Sequence, residues 1–162
     1  MDAALAHRIT GLLDEHRLLT LATLRPDGWP QATMVGYVND GLAIYFVVSP
    51  QSQKFANIGR DPRVSIAIGE DTPNPNWIAG LSMAARVAPV TGAAERARVF
   101  ELMMQRYPEY AAFPRETIEA MAMLRADPTV VSVLDYAKGF GHTELVTVEA
   151  ADRLQRVRAA ND

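Results

Sequence analysis

LLTLATLRPDGWPQATMVGYVNDGLAIYFVVSPQSQKFANIGRDPRVSIAI, running from Leu18 to Ile68, decides how this chain folds. Residues 18–24 are apolar with interspersed threonine, as in a strand. Asp27-Gly28 is a turn signal and Pro30 marks the start of the next extended stretch, 31–38. Asn39-Asp40-Gly41 is a second hairpin signal. The run LAIYFVV at 42–48 is short, apolar, and rich in aromatic and β-branched residues, which favours a buried strand over a helix. A short helix is expected over 52–59, ended by Gly59 and then Asp61-Pro62. Residues 63–69 alternate, with Val64, Ile66 and Ile68 on one side and Ser65 and Ala67 on the other. This order brings Ser52, Gln53 and Lys54 to a helix N-terminus beside the ends of a sheet.

On the N-terminal side, residues 3–16 carry Leu5, Ile9, Leu12 and Leu13 at helical spacing. On the C-terminal side a polar, proline-rich loop at 70–76 precedes an extended stretch at 77–90. A helix follows at 93–107, with Ala93, Ala97, Phe100, Met104 and Tyr107 expected on its packed stripe, and Pro108 stops it. A further helix is predicted from Pro114 to Arg125, then strands near 130–136 and 143–149. The last dozen residues read as a short surface helix or a frayed end. Consecutive hairpins make the sheet antiparallel. The fold class is therefore mainly β with peripheral α-helices: an antiparallel, six-stranded split β-barrel forming one domain over residues 1–162.

The 162 residues carry a net charge of -3, which offers no basic face for a nucleic-acid backbone. No apolar run is long enough to span a bilayer and no signal-peptide pattern is present, so no membrane partner and a cytoplasmic location are expected. There is no cysteine, which removes disulfides, thiolate nucleophiles and iron–sulfur ligation. The three histidines, His7, His16 and His142, form no metal-ligand pair, and no metal site is expected. The methionines at 83, 103, 104, 121 and 123 read as packing residues, and Asp14, Glu15, Glu70 and Asp71 as solvated ones.

Ser52 taken alone is an N-cap. Lys54 changes that reading, because a cation in the first helical turn opposes the macrodipole unless an anion sits there. Free backbone amides, a hydroxyl and an ammonium suit a phosphate. Segment 135–142 has two readings. It is a turn or bulge using Gly139 and Gly141, or a wall over a ligand offering Phe140 and a proton donor, His142. Trp77 either borders a ligand or anchors its loop on the core.

Several motifs in order carry a resemblance over roughly residues 5–90. They are the hairpin with Asp27-Gly28 and Pro30, the Ile44-Tyr45-Phe46 strand, Ser52-x-Lys54, Asn57-Ile58 and Asp61-Pro62. Together they resemble the pyridoxamine 5′-phosphate oxidase-like family of flavin-binding split barrels. The resemblance implies a homodimer with flavin mononucleotide (FMN) at the subunit interface and an oxidoreductase acting on a small molecule. It implies that the flavin lies against Thr33, Met34, Val35 and Gly36 and contacts Phe46 and Val47. The phosphate would be held around Ser52, Gln53 and Lys54. For Met34, Val35, Phe46 and Val47 ordinary core packing is the competing reading. The chain departs from authentic pyridoxamine phosphate oxidases in having Thr33 and Gln53 where arginines are usual. It also lacks their C-terminal tryptophan- and arginine-containing signature, which argues against vitamin B6 as substrate. The alternatives are a deazaflavin in the same groove, a flavin- or heme-binding stress-response protein without turnover (His142 being the candidate axial ligand), and a barrel that serves only as a scaffold.

Overall fold

The computed structural model describes residues 1–149 and Asp152. Helix α1 (Ala3–Glu15) starts at Asp2, whose carboxylate accepts the Leu5 amide, and buries Ile9, Leu12 and Leu13. Strands β1 (Leu18–Leu24) and β2 (Pro30–Gly36) form the first hairpin, in which Gly28 takes a positive φ of 83°. Strand β3 (Val38–Asp40) pairs with β4 (Ala43–Val48), and the tight turn between them uses Gly41 at φ 62°. Helix α2 (Gln53–Arg60) leads into β5 (Arg63–Gly69), then β6 (Ala79–Pro89), α3 (Ala93–Arg106) and the single-turn α4 (Arg115–Glu119). Strands β7 (Ala122–Asp135) and β8 (Thr143–Thr147) follow.

All pairings are antiparallel, in the order β2-β1-β5-β6-β7-β4-β3, with β8 added to β7. The two ends of this order, β2 and β3, are joined through Tyr37 alone. The sheet therefore curls on itself, and the outer edge of β2 faces a split. Leu19, Leu21, Phe46, Ile66, Leu81 and Val131 fill the interior.

Eight strands occur among the described residues where six were expected. The stretch 31–48 divides into three because the chain bends at Gly36-Tyr37. Tyr107 fixes the bend: its hydroxyl accepts the Tyr37 amide at 2.8 Å and lies 3.2 Å from where a Cβ on Gly36 would sit. The helix predicted from Pro114 to Arg125 ends at Glu119 instead, and β7 takes over at Ala122. A short apolar run such as Met121–Leu124 fits either periodicity. Pairing with β4, Phe46 opposite Leu124, decides for strand. Pro128 lies inside β7, where Thr129 is the extra residue of a bulge opposite Ala84 and Ala85. At that point the other edge of β7 changes partner from β4 to β8.

Two further expectations are corrected. The buried residues of α3 are Val99 and Met103, followed by Tyr107 beyond its end, so Ala93, Ala97 and Phe100 face outward. Trp77 does not anchor its loop; it is 65% exposed. The C-terminal dozen residues, apart from Asp152, lie outside the described residues.

Candidate functional site

Lys54 is a half-buried residue in the first turn of α2 and forms no ion pair or hydrogen bond among the described residues. Its neighbours are committed to structure. The Ser52 hydroxyl accepts the Phe55 amide at 3.3 Å and donates to the Ser49 carbonyl at 2.7 Å. The Gln53 side-chain amide donates to Asn57 Oδ1 at 2.9 Å. By helix geometry the Gln53 and Lys54 amides have no intrahelical acceptor.

Asn57 attaches this helix to the barrel. It is fully buried, and its Nδ2 donates to Thr23 Oγ1 on β1 at 3.0 Å and to Gln31 Oε1 on β2 at 3.2 Å. Lys54 is three residues before Asn57, on the same helical face. Thr33 is two residues after Gln31, on the same face of β2. The Thr33 hydroxyl is buried and has no hydrogen-bond partner among the described residues. An ammonium without a carboxylate, two open amides and an orphaned hydroxyl are thus carried by two elements that Asn57 ties together.

The other expected site residues are distributed differently. Met34 points outward and is 70% exposed, while Val35 is buried in the core. Gly36 lies under the Tyr107 and Tyr110 hydroxyls. The Phe46 side chain is wholly within the core, so only its backbone is open to a ligand. Val47 faces the outside of the barrel and lines a cavity beside α3. Asn57 and Gln31 were not singled out from the sequence as site residues. The i, i+4 spacing of Gln53 and Asn57 was the available signal.

The second candidate region, 135–142, forms a short 3-10 turn at Tyr136–Lys138 followed by a tip where Gly139 and Gly141 take positive φ. Phe140 is 80% exposed and meets Tyr136 edge to face. His142 Nε2 lies 3.3 Å from Glu144, which also pairs with Lys138 at 2.7 Å. This carboxylate is held below its ordinary range by the lysine and then by the imidazole. No cluster of three metal-ligating side chains occurs among the described residues.

Strand register exposes a further feature. Outward-facing residues run across the sheet as Met34, Thr20, Ala67, Ser82, Ser132 and Leu145, each opposite the next. A parallel row runs Ala32, Ala22, Ser65, Ala84, Val130 and Thr147. Neither row contains a charge, although 22% of the chain is charged. Small side chains occupy the crown of this convex face and larger apolar ones, Met34 and Leu145, its flanks.

No helix among the described residues is long and apolar enough to cross a membrane. Residues 5–135 match the model of the pyridoxamine 5′-phosphate oxidase family. General stress protein 26 of Bacillus subtilis (strain 168) is 33% identical over 64 residues, 40% of this chain and 45% of that protein. The structure of a heme-binding protein from Mycobacterium smegmatis superposes with a TM-score of 0.76 at 22% identity, covering 91% of this chain and 59% of the other. The chain thus aligns with less than two thirds of the length of either protein. An F420 reductase superposes with a TM-score of 0.61 at 27% identity, over 75% of this chain and 94% of the other.

Proposed function

Because the chain belongs to the pyridoxamine 5′-phosphate oxidase family, we propose that it is an FMN-binding oxidoreductase of that fold, acting as a homodimer on a small molecule in the cytoplasm. The observation that carries the proposal is the half-buried, unpaired Lys54 at the head of α2, with the orphaned Thr33 hydroxyl on the neighbouring strand. These groups fit a phosphate: Lys54 supplies charge, the Gln53 and Lys54 amides supply donors along the helix dipole, and Thr33 supplies a hydroxyl. Ser52 contributes by capping the helix rather than by direct donation, since its proton is given to Ser49. The free edge of β2 offers unpaired backbone groups to a planar ring. When bound, a flavin supplies electron or hydride transfer. The protein's part is to anchor the phosphate, orient the ring and restrict water. Vitamin B6 is not the expected substrate, because Thr33 and Gln53 stand where arginines are usual in the authentic oxidases.

The homodimer rests on the two uncharged rows. Two convex sheets approach closely where their crowns carry Ala67 and Ser82, and Met34 and Leu145 fill the gap that widens on either side. A two-fold axis along the strands would set Met34 against Leu145 of the partner subunit and bring the edge of β2 into the interface.

The test is FMN titration of the flavin-free protein, followed by fluorescence, with riboflavin as the control that lacks the phosphate. Lys54→Met is expected to weaken FMN binding about tenfold to a hundredfold, the value of one charge-assisted hydrogen bond, and to leave riboflavin binding unchanged. Equal FMN affinity in both proteins refutes the phosphate assignment. The likeness to an F420 reductase favours a deazaflavin as the second reading. The same titration with that cofactor decides between them by relative affinity.

A further inference from the structure

Helix α3 has two apolar stripes and uses only one for the core. Val99 and Met103 pack against β3, β4 and β7, while Ala97 and Phe100 face away. They face a cavity of about 380 Å³ between α3, α4 and the outer side of β4 and β7. Its walls include Val47, Phe100, Met103, Ile118, Met121 and Met123. Three of these are methionines, whose polarizable, unbranched side chains adapt to flat ligands and make favourable sulfur–aromatic contacts.

Three charged residues, Arg96, Glu101 and Glu119, also line the cavity beside its apolar walls. Arg96 donates to the Val90 carbonyl at 3.2 Å, Glu119 is engaged in a polar interaction of its own, and Glu101 is on the exposed side of α3. The volume stands at the small end of the range for ligand pockets. Methionine-rich walls, an exposed phenyl ring and this size together favour a flat, largely apolar occupant. We propose that the cavity between α3 and α4 binds an uncharged, planar aromatic molecule of about two fused rings. Val47 borders the cavity and was also one of the two flavin contacts expected on β4, with Phe46. That the ligand is the flavin's reaction partner rests on the FMN reading, whereas its binding does not.

The probe is prodan, an uncharged two-ring naphthalene ketone whose fluorescence rises and shifts to the blue in apolar surroundings. It is titrated into flavin-free and FMN-loaded protein, with Ala97→Trp, which fills the cavity, and Ala97→Asp, which charges its wall. Position 97 is solvent-exposed on α3, so neither change disturbs the core, and circular dichroism verifies the fold. Saturable binding to both forms of the unsubstituted protein, weakened at least tenfold by each substitution, is the expected result. Absence of saturable binding, or equal binding by the variants, overturns the proposal. Competition between FMN and the probe also overturns it, since the cavity would then hold the flavin ring itself. Retained probe binding in a protein that does not bind FMN supports the cavity and sinks the flavin reading, so the two fail separately.

Discussion

Replacing Asn57 with alanine tests whether one buried amide holds α2, and with it the proposed phosphate anchor, against the barrel. Asn57 makes three side-chain hydrogen bonds: to Thr23 and Gln31 as donor, and from Gln53 as acceptor. Each is worth about 1 kcal/mol net. The Thr23 hydroxyl, only 4% exposed, loses its partner and adds at least about 1 kcal/mol. The higher helix propensity of alanine returns roughly 0.6 kcal/mol. The sum is a loss of about 3 kcal/mol, near a hundredfold in the folding equilibrium. Urea denaturation measures it as a lower midpoint at unchanged slope. FMN affinity should fall with it, although residue 57 lies a full turn from the proposed phosphate. Asn57→Asp should cost more at neutral pH than in mild acid, because its carboxylate would be buried with both donor bonds lost. A loss below about 1 kcal/mol for Asn57→Ala, or FMN affinity untouched by a fully folded variant, would refute the claim that this network positions α2.

Gly80→Ala should destabilise by about 1–3 kcal/mol in denaturant titration, since a Cβ there would stand 2.4 Å from the Ile68 carbonyl oxygen on the adjoining strand; a neutral result would mean β5 and β6 separate more easily than their register implies. Ser82→Arg puts a charge at the centre of the uncharged rows without touching the core. Sedimentation should show a dimer for the unsubstituted protein at micromolar concentration and a monomer for the variant, and a monomer or dimer in both cases would remove this face as the interface. The phenol of Tyr45 is raised to about 12, chiefly by burial and then by its hydrogen bond to Glu95. The folded state therefore keeps a proton that the unfolded state loses near pH 10, so this contribution is complete below pH 10 and is lost as pH rises toward 12. Thermal midpoints should fall more steeply across that window for the unsubstituted protein than for Tyr45→Phe; parallel curves would count against the assignment.

The hairpins and the single helix over 52–59 were legible because local chemistry set them. Asp27-Gly28 and Asn39-Asp40-Gly41 are turns on their own account, and the alternation through Val64, Ile66 and Ile68 has a period of two in any context. The helix expected from Pro114 is present over Arg115–Glu119, but its extension to Arg125 was misread because Met121–Leu124 carries no periodicity of its own, and only β4 lying alongside makes it a strand. The phase of α3 failed for a related reason. Its sequence has two apolar stripes, and which one is buried depends on where β3 and β7 present their outer faces.

The candidate site divides the same way. Ser52 and Lys54 followed from the sequence, since a cap and a cation at a helix start act through the helix itself. Thr33's orphaned hydroxyl, the outward turn of Val47 and the bonds of Asn57 to Thr23 and Gln31 join residues far apart in sequence. The sequence by itself determined the antiparallel hairpins, the turns and the helix start at Ser52 with Lys54 in its first turn, because those depend on interactions within a few residues. The closure of the barrel through Tyr37, the two uncharged rows on its outer face and the methionine-lined cavity were decided only by tertiary structure, because each depends on which distant surfaces the curled sheet brings together or leaves uncovered.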